Sequence, residues 1–166
     1  FVKPVVGTYF ASQQSDYMVV SPDAGGVERA RAYAKLLNCD LAIVDKRRDR
    51  PNESKVRRII GDVTDKKCLI IDDIVDTAGS LTKAADALKE AGASSVVAAI
   101  THPVLSGPAV ERISSSSLEE VIVSDSILLS EDATKCNKIR ILTIAELFAK
   151  AIKRIHQSDS ISSLFV

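Results

Sequence analysis

Between Leu69 and Ser80 the chain reads Leu-Ile-Ile-Asp-Asp-Ile-Val-Asp-Thr-Ala-Gly-Ser. The apolar run 69–71 ends in two adjacent carboxylates, Asp72 and Asp73; Asp76 follows, and then a set of small residues opens a helical pattern. This order predicts a strand that stops, displays acid at its tip and turns into a helix through a tight loop. Thr77, Ala78, Gly79 and Ser80 can bring successive backbone N–H groups to an anion, with the Thr77 and Ser80 hydroxyls as further donors. Carboxylates repel phosphate; they suit sugar hydroxyls, or a Mg2+ that bridges sugar and phosphate. Loop and acid pair together point to a phosphorylated sugar with vicinal hydroxyls. An ordinary helix cap at Asp76 or Thr77 explains either residue alone. It does not explain the acid pair, the turn and the apolar strand occurring together.

Two more segments carry chemically suggestive residues. Ser21-Pro22-Asp23-Ala24-Gly25-Gly26 follows an apolar stretch, and paired glycines let a backbone come close to a ligand. A plain strand-to-helix turn explains the same residues. Lys46, Arg47, Arg48 and Arg50 crowd a loop with little apolar content. Such runs are commonly solvated; the alternative is an arm that folds over a reacting polyphosphate. A nucleic-acid patch is disfavoured, since no aromatic residue is interleaved and the formal net charge is +0. His102, in Thr-His-Pro, has no Ser/His/Asp or Cys/His set around it on which a covalent mechanism could be built.

These segments need a scaffold. Short β-rich runs alternate with helical periodicities, which predicts an α/β fold with a largely parallel sheet flanked by helices. Strands are expected at 17–20, 41–44, 69–71, 95–100, 121–123 and 139–142. A helix from Gly26 places Val27, Ala30, Ala34 and Leu37 on one face. Others are expected around 53–60, after the 69–71 strand with Leu81, Ala84, Ala85 and Leu88 inward, and one with Pro108 well placed near its start. A terminal helix is marked by Ile144, Leu147, Phe148, Ala151, Ile152 and Ile155. Residues 114–117 read as a loop and 157–166 as a polar, loosely held tail. Each chemically interesting loop then follows the C-terminal end of a parallel strand, the edge where open α/β sheets bind ligands.

Length and composition fit this plan. The 166 residues suit one domain, 1–166, and 46% hydrophobic with 27% charged residues is ordinary for a globular chain. Zero net charge leaves no basic field to recruit nucleic acid or a membrane surface. The three cysteines, Cys39, Cys68 and Cys136, are in no CxxC spacing, which predicts free thiols in a reducing compartment. No apolar run approaches the ~18 residues of a membrane span, and the start, Phe1-Val2-Lys3-Pro4, does not read as a signal peptide. A cytoplasmic protein is expected, with an organelle left open.

The 69–80 segment resembles the ribose-5-phosphate signature of the type I phosphoribosyltransferase fold. With residues 21–26, 44–48, 101–109 and the ending 160–165, the chain resembles the ribose-phosphate pyrophosphokinase family from about Tyr17 onward. The family's chains are about twice as long and two-lobed, so the resemblance implies the C-terminal half of such a synthetase. It implies transfer of the pyrophosphoryl group of ATP to the 1-hydroxyl of ribose 5-phosphate, giving phosphoribosyl pyrophosphate and AMP, with Mg2+ as cofactor and a homo-oligomer as the assembly. Thr77, Ala78, Gly79 and Ser80 would grip the 5-phosphate, and Asp72 and Asp73 the ribose hydroxyls. Asp76 would accept a proton or order the turn. Asp23 would stand on the metal side, Lys46 and Arg48 would be the two cations of a catalytic loop, and Ser160 and Ser162 would belong to a regulatory site. His102 is left as a possible contact. Two other readings share parts of this pattern: a phosphoribosyltransferase consuming the product, and a non-catalytic regulatory subunit. The basic loop disfavours the first, and its union with a complete ribose loop disfavours the second. Ser80 stands where the family commonly has Thr, which keeps the hydroxyl. Residues 1–16 match poorly, and the metal-binding His and the adenine contacts of the family's other half are absent. Without them the chain alone is expected to be inactive.

Overall fold

The computed structural model describes residues 3–12, 17–46 and 57–164. Its frame is one seven-stranded sheet. In chain order the strands are β1 (Tyr17–Ser21), β2 (Leu41–Lys46), β3 (Arg57–Ile60), β4 (Lys67–Val75), β5 (Ser95–Pro103), β6 (Glu120–Ser124) and β7 (Ile139–Leu142). In space they lie β3-β2-β1-β4-β5-β6-β7. Every pair is parallel except β2 with β3. From β1 the chain winds outward to β2, then returns to place β4 on the other side of β1. That reversal opens a crevice between the C-terminal ends of β1 and β4.

The sheet is apolar on both faces, as a helix-covered parallel sheet must be. Alternate residues feed two cores. Val20, Ile70, Ala98 and Val123 pack under α3 (Gly79–Glu90) and α4 (Ala109–Ser115). Val19, Leu69, Ile71, Val97 and Ile122 pack under α1 (Lys3–Ala11) and α2 (Val27–Leu37). Leu69, Ile70 and Ile71 are 0–1% exposed, and each such side chain contributes roughly 1.5–3 kcal/mol on burial. Strand β4 is therefore the spine that aims residues 72–80.

Several elements differ from expectation. Residues 57–60 form an antiparallel strand, not the end of a helix; Arg57 pairs with Lys46 and Ile60 with Ile43. Two consecutive isoleucines favour extended backbone once an edge is available on β2. Strands β4 and β5 run on to Val75 and Pro103, because they extend one another: Ile74 pairs with His102 and Val75 with Pro103. Ser114 and Ser115 close α4 rather than starting a loop. Helix α5 (Glu131–Lys135), capped by the Ser130 hydroxyl, and helix α1 carried no strong sequence pattern. The terminal helix is α6 (Ala145–His156), but it buries none of its residues. Ile144 at its N-cap is the anchor, 5% exposed, while Phe148, Ile152 and Ile155 are 57–64% exposed. Val6 and Phe10 of α1 belong to the same core cluster as Ile144. Cys39, Cys68 and Cys136 are free thiols. No helix among the described residues is long and apolar enough to cross a membrane.

Candidate functional site

The crevice at the β1/β4 switch holds about 240 Å³ and is walled by Asp23, Asp72 and residues 76–80. On the β1 side, Asp23 is extended and caps a short helical turn at 24–26; its carboxylate accepts the Gly26 N–H at 3.0 Å. Ser21, fully buried, donates its hydroxyl to the Asp23 carbonyl at 2.6 Å. Gly26 is needed for close approach: a Cβ there would lie 2.9 Å from Ser21 Oγ. The paired glycines thus serve a tight, organised turn.

On the β4 side, Asp72 and Asp73 are not beyond the strand tip but inside its extension, with Asp72 opposite Ile100 of β5. One guanidinium holds both. Arg29 of α2 donates from Nη1 to Asp72 at 2.9 Å and from Nη2 to Asp73 at 2.6 Å. Burial pushes the Asp72 carboxyl above its ordinary value; the Asp73 carboxylate raises it further, while the Asp73 N–H and Arg29 pull it down. Two like charges side by side in a partly dry wall require such a partner.

The turn after β4 is held open from below. Ala78 sits in the left-handed region at φ 59°, so the chain reverses before α3 begins at Gly79. No side chain caps the helix. Among the described residues no protein acceptor takes the N–H groups of Thr77, Ala78, Gly79 and Ser80. Unsatisfied amides at a helix start attract anions. The outer side of the turn is pinned instead. Ser106 donates its hydroxyl to the Asp76 carboxylate and its N–H to the Asp76 carbonyl. Arg112 of α4 donates to the Thr77 carbonyl at 2.9 Å. Of the two roles offered for Asp76, this geometry favours ordering the turn.

The crevice thus gathers Asp23, Asp72, Asp76, Thr77, Ala78, Gly79 and Ser80, with Asp73 beside it on Arg29. Lys46 ends β2, one strand away from β1. Arg48 lies outside the described residues, as do Arg47 and Arg50. Ser160 and Ser162 are exposed on the tail after α6, where Arg154 donates to the Ser160 carbonyl at 3.0 Å. His102 lies within β5, not in a turn, and its Nδ1 is 2.9 Å from Ser126 Oγ. Sequence reasoning missed Arg29 and Arg112, and did not see what Ser106 holds. Only Arg29 left a trace: a cation in the first turn of a helix opposes the macrodipole unless an acid nearby compensates.

A family model described as "Phosphoribosyl synthetase-associated domain" matches residues 48–166. A ribose-phosphate pyrophosphokinase of Nitrosomonas europaea is 54% identical over 162 residues, 98% of this chain and 51% of the relative. The crystal structure of phosphoribosylpyrophosphate synthetase from Mycobacterium smegmatis superimposes with a TM-score of 0.87 at 34% identity, covering 95% of this chain and 51% of that one. The chain spans about half the length of the curated relatives it matches. A purine phosphoribosyltransferase from Pyrococcus horikoshii shares the fold at TM-score 0.52 and 18% identity, covering 86% of this chain.

Proposed function

Because the chain belongs to the phosphoribosyl synthetase-associated domain family, we propose that it is one lobe, a single domain over 1–166, of a ribose-phosphate pyrophosphokinase. Its part is to bind ribose 5-phosphate and present the 1-hydroxyl to ATP, whose pyrophosphoryl group is transferred with release of AMP. One observation carries this reading: unpaired amides at 77–80 line a crevice beside a pair of carboxylates, at the sheet's switch point. The amides and the Thr77 and Ser80 hydroxyls take the 5-phosphate. Asp72 and Asp73 accept hydrogen bonds from the ribose hydroxyls, which fixes the sugar's orientation. Asp76, clamped by Ser106, keeps the turn in shape.

Mg2+ fits the chemistry of the donors without a ready-made cage. Among the described residues no group of three His, Cys, Asp or Glu side chains converges on one point. Mg2+ is typically held by one or two carboxylates plus substrate phosphates, and Asp23, which lines the crevice, offers a hard oxygen ligand of that kind. When bound, it would neutralise charge on the transferring phosphoryl group. Lys46 and Arg48 would add cationic cover to that group. Ser160 and Ser162 would contribute to a regulatory anion site, with Arg154 as the nearby cation. Turnover, ATP binding and assembly into a cytoplasmic homo-oligomer belong to a chain of the relatives' full length; these 166 residues alone bind the sugar phosphate and release no AMP.

Calorimetric titration with ribose 5-phosphate, with and without Mg2+, tests the reading. A single site is expected, weakened about tenfold or more in Thr77→Ala/Ser80→Ala, the loss of two hydrogen bonds to a charged group. Equal affinity in that variant sinks the assignment. AMP release measured with the 166-residue chain and with a full-length chain separates lobe from enzyme.

A further inference from the structure

Arg29 has no part in the binding scheme above, yet it reaches both carboxylates of the acid pair. Its guanidinium meets Asp72 through Nη1 at 2.9 Å and Asp73 through Nη2 at 2.6 Å. Consecutive strand residues point to opposite faces, so two adjacent carboxylates do not converge by default. Here they do, with the Asp73 N–H folded back onto Asp72 Oδ1 at 2.9 Å. The same guanidinium passes along the loop after β1: a Cβ on Gly26 would lie 3.5 Å from Arg29 Nη1 and 3.7 Å from Asp23 Oδ1. The cation on the acid pair therefore lies close beside the loop of Asp23. The arrangement is not sealed, since the side chains of Arg29, Asp72 and Asp73 are 32%, 30% and 54% exposed. Water and small solutes reach it.

We propose that Arg29 is the positioning residue of the sugar site: it holds Asp72 and Asp73 converged for the ribose hydroxyls, and it stands where a divalent cation on that pair would have to stand. This rests on the reading of the crevice as a ribose 5-phosphate site. The chemistry has two consequences of opposite sign. Removing the guanidinium lets the carboxylates repel and part, so the sugar loses its acceptors while the amides at 77–80 keep theirs for phosphate. Removing it also vacates the pair for a metal, whose affinity rises.

The test uses the 166-residue chain and two variants, Arg29→Gln and Arg29→Lys, with thermal melts as a folding control. In EDTA, ribose 5-phosphate is expected to bind Arg29→Gln about tenfold more weakly, from the loss of charged hydrogen bonds. Inorganic phosphate, which needs only the turn, is expected to bind as in the parent. Arg29→Lys falls between, because a single ammonium cannot fork to two carboxylates. With Mn2+ alone as a paramagnetic probe, Arg29→Gln is expected to bind several-fold more tightly. Equal losses for sugar phosphate and phosphate would mean a merely structural tie and overturn the proposal, as would an unchanged Mn2+ affinity. A parent chain that binds neither anion contradicts the proposed function instead, and the Mn2+ arm still decides whether Arg29 competes with a cation.

Discussion

Ser106 is 30 positions from Asp76 in sequence, yet its hydroxyl and its N–H both close on that residue. Without the hydroxyl, one end of the 76–80 turn is held by the backbone bond alone. Ser106→Ala is expected to weaken ribose 5-phosphate binding several-fold, at a stability cost of about 1 kcal/mol; calorimetry and urea denaturation measure the two. Undiminished binding would mean that Asp76 does not order the turn. The contrast with Thr77–Ser80 shows what a sequence displays at this scale. Four small residues behind a strand that carries acids announce a turn with open amides, because the physics is local: neighbouring amides point one way. Arg29, Ser106 and Arg112 act on partners 43, 30 and 35 positions away. Spacing along the chain carries no mark of such pairs; the sheet order alone brings them together.

Among the elements, strands with a strong apolar run were legible and edge elements were not. Strand β4 follows from Leu69–Ile71, but its length follows from β5, which keeps pairing with it as far as Pro103. Residues 57–60 became a strand because β2 offered a free edge, a tertiary reason that local propensity does not contain. Helix α6 shows the converse: its apolar spacing is clear in the sequence, yet Phe148, Ile152 and Ile155 remain exposed. Burial, not pattern, sets the energetic weight of a side chain. Ile152→Ser, at 64% exposure, is expected to leave the chain's stability within about 0.5 kcal/mol. Ile70→Ala, at 0%, is expected to cost about 2–5 kcal/mol. Urea midpoints of the two variants decide; a large loss at Ile152 would mean that α6 packs against the body after all.

For the molecule as a whole, dry cores on both faces of the sheet set its response to alkali. Burial pushes the Cys68 thiol up from 9.0 to about 11, and the Tyr33 phenol up from 10.0 to about 12 against the opposing pull of Arg29. As pH rises past 9 the unfolded chain surrenders these protons while the folded chain keeps them. The unfolded state then binds fewer protons, so stability falls with pH through this window and levels off above about 12. Denaturation at stepped pH should show that fall, and Tyr33→Phe should flatten its upper part; a fall of the same slope in that variant would assign it to other groups. The same two-sided sheet positions the crevice, since only a reversal of winding leaves β1 and β4 ends uncovered side by side. The most direct test of the claim that main-chain amides cradle the sugar phosphate is an amide ¹⁵N–¹H titration of the 166-residue chain with ribose 5-phosphate. The account predicts that the largest shifts fall on Thr77, Ala78, Gly79 and Ser80, with smaller ones on Asp72 and Asp73. Shifts centred elsewhere, with residues 77–80 unmoved at saturation, would contradict it.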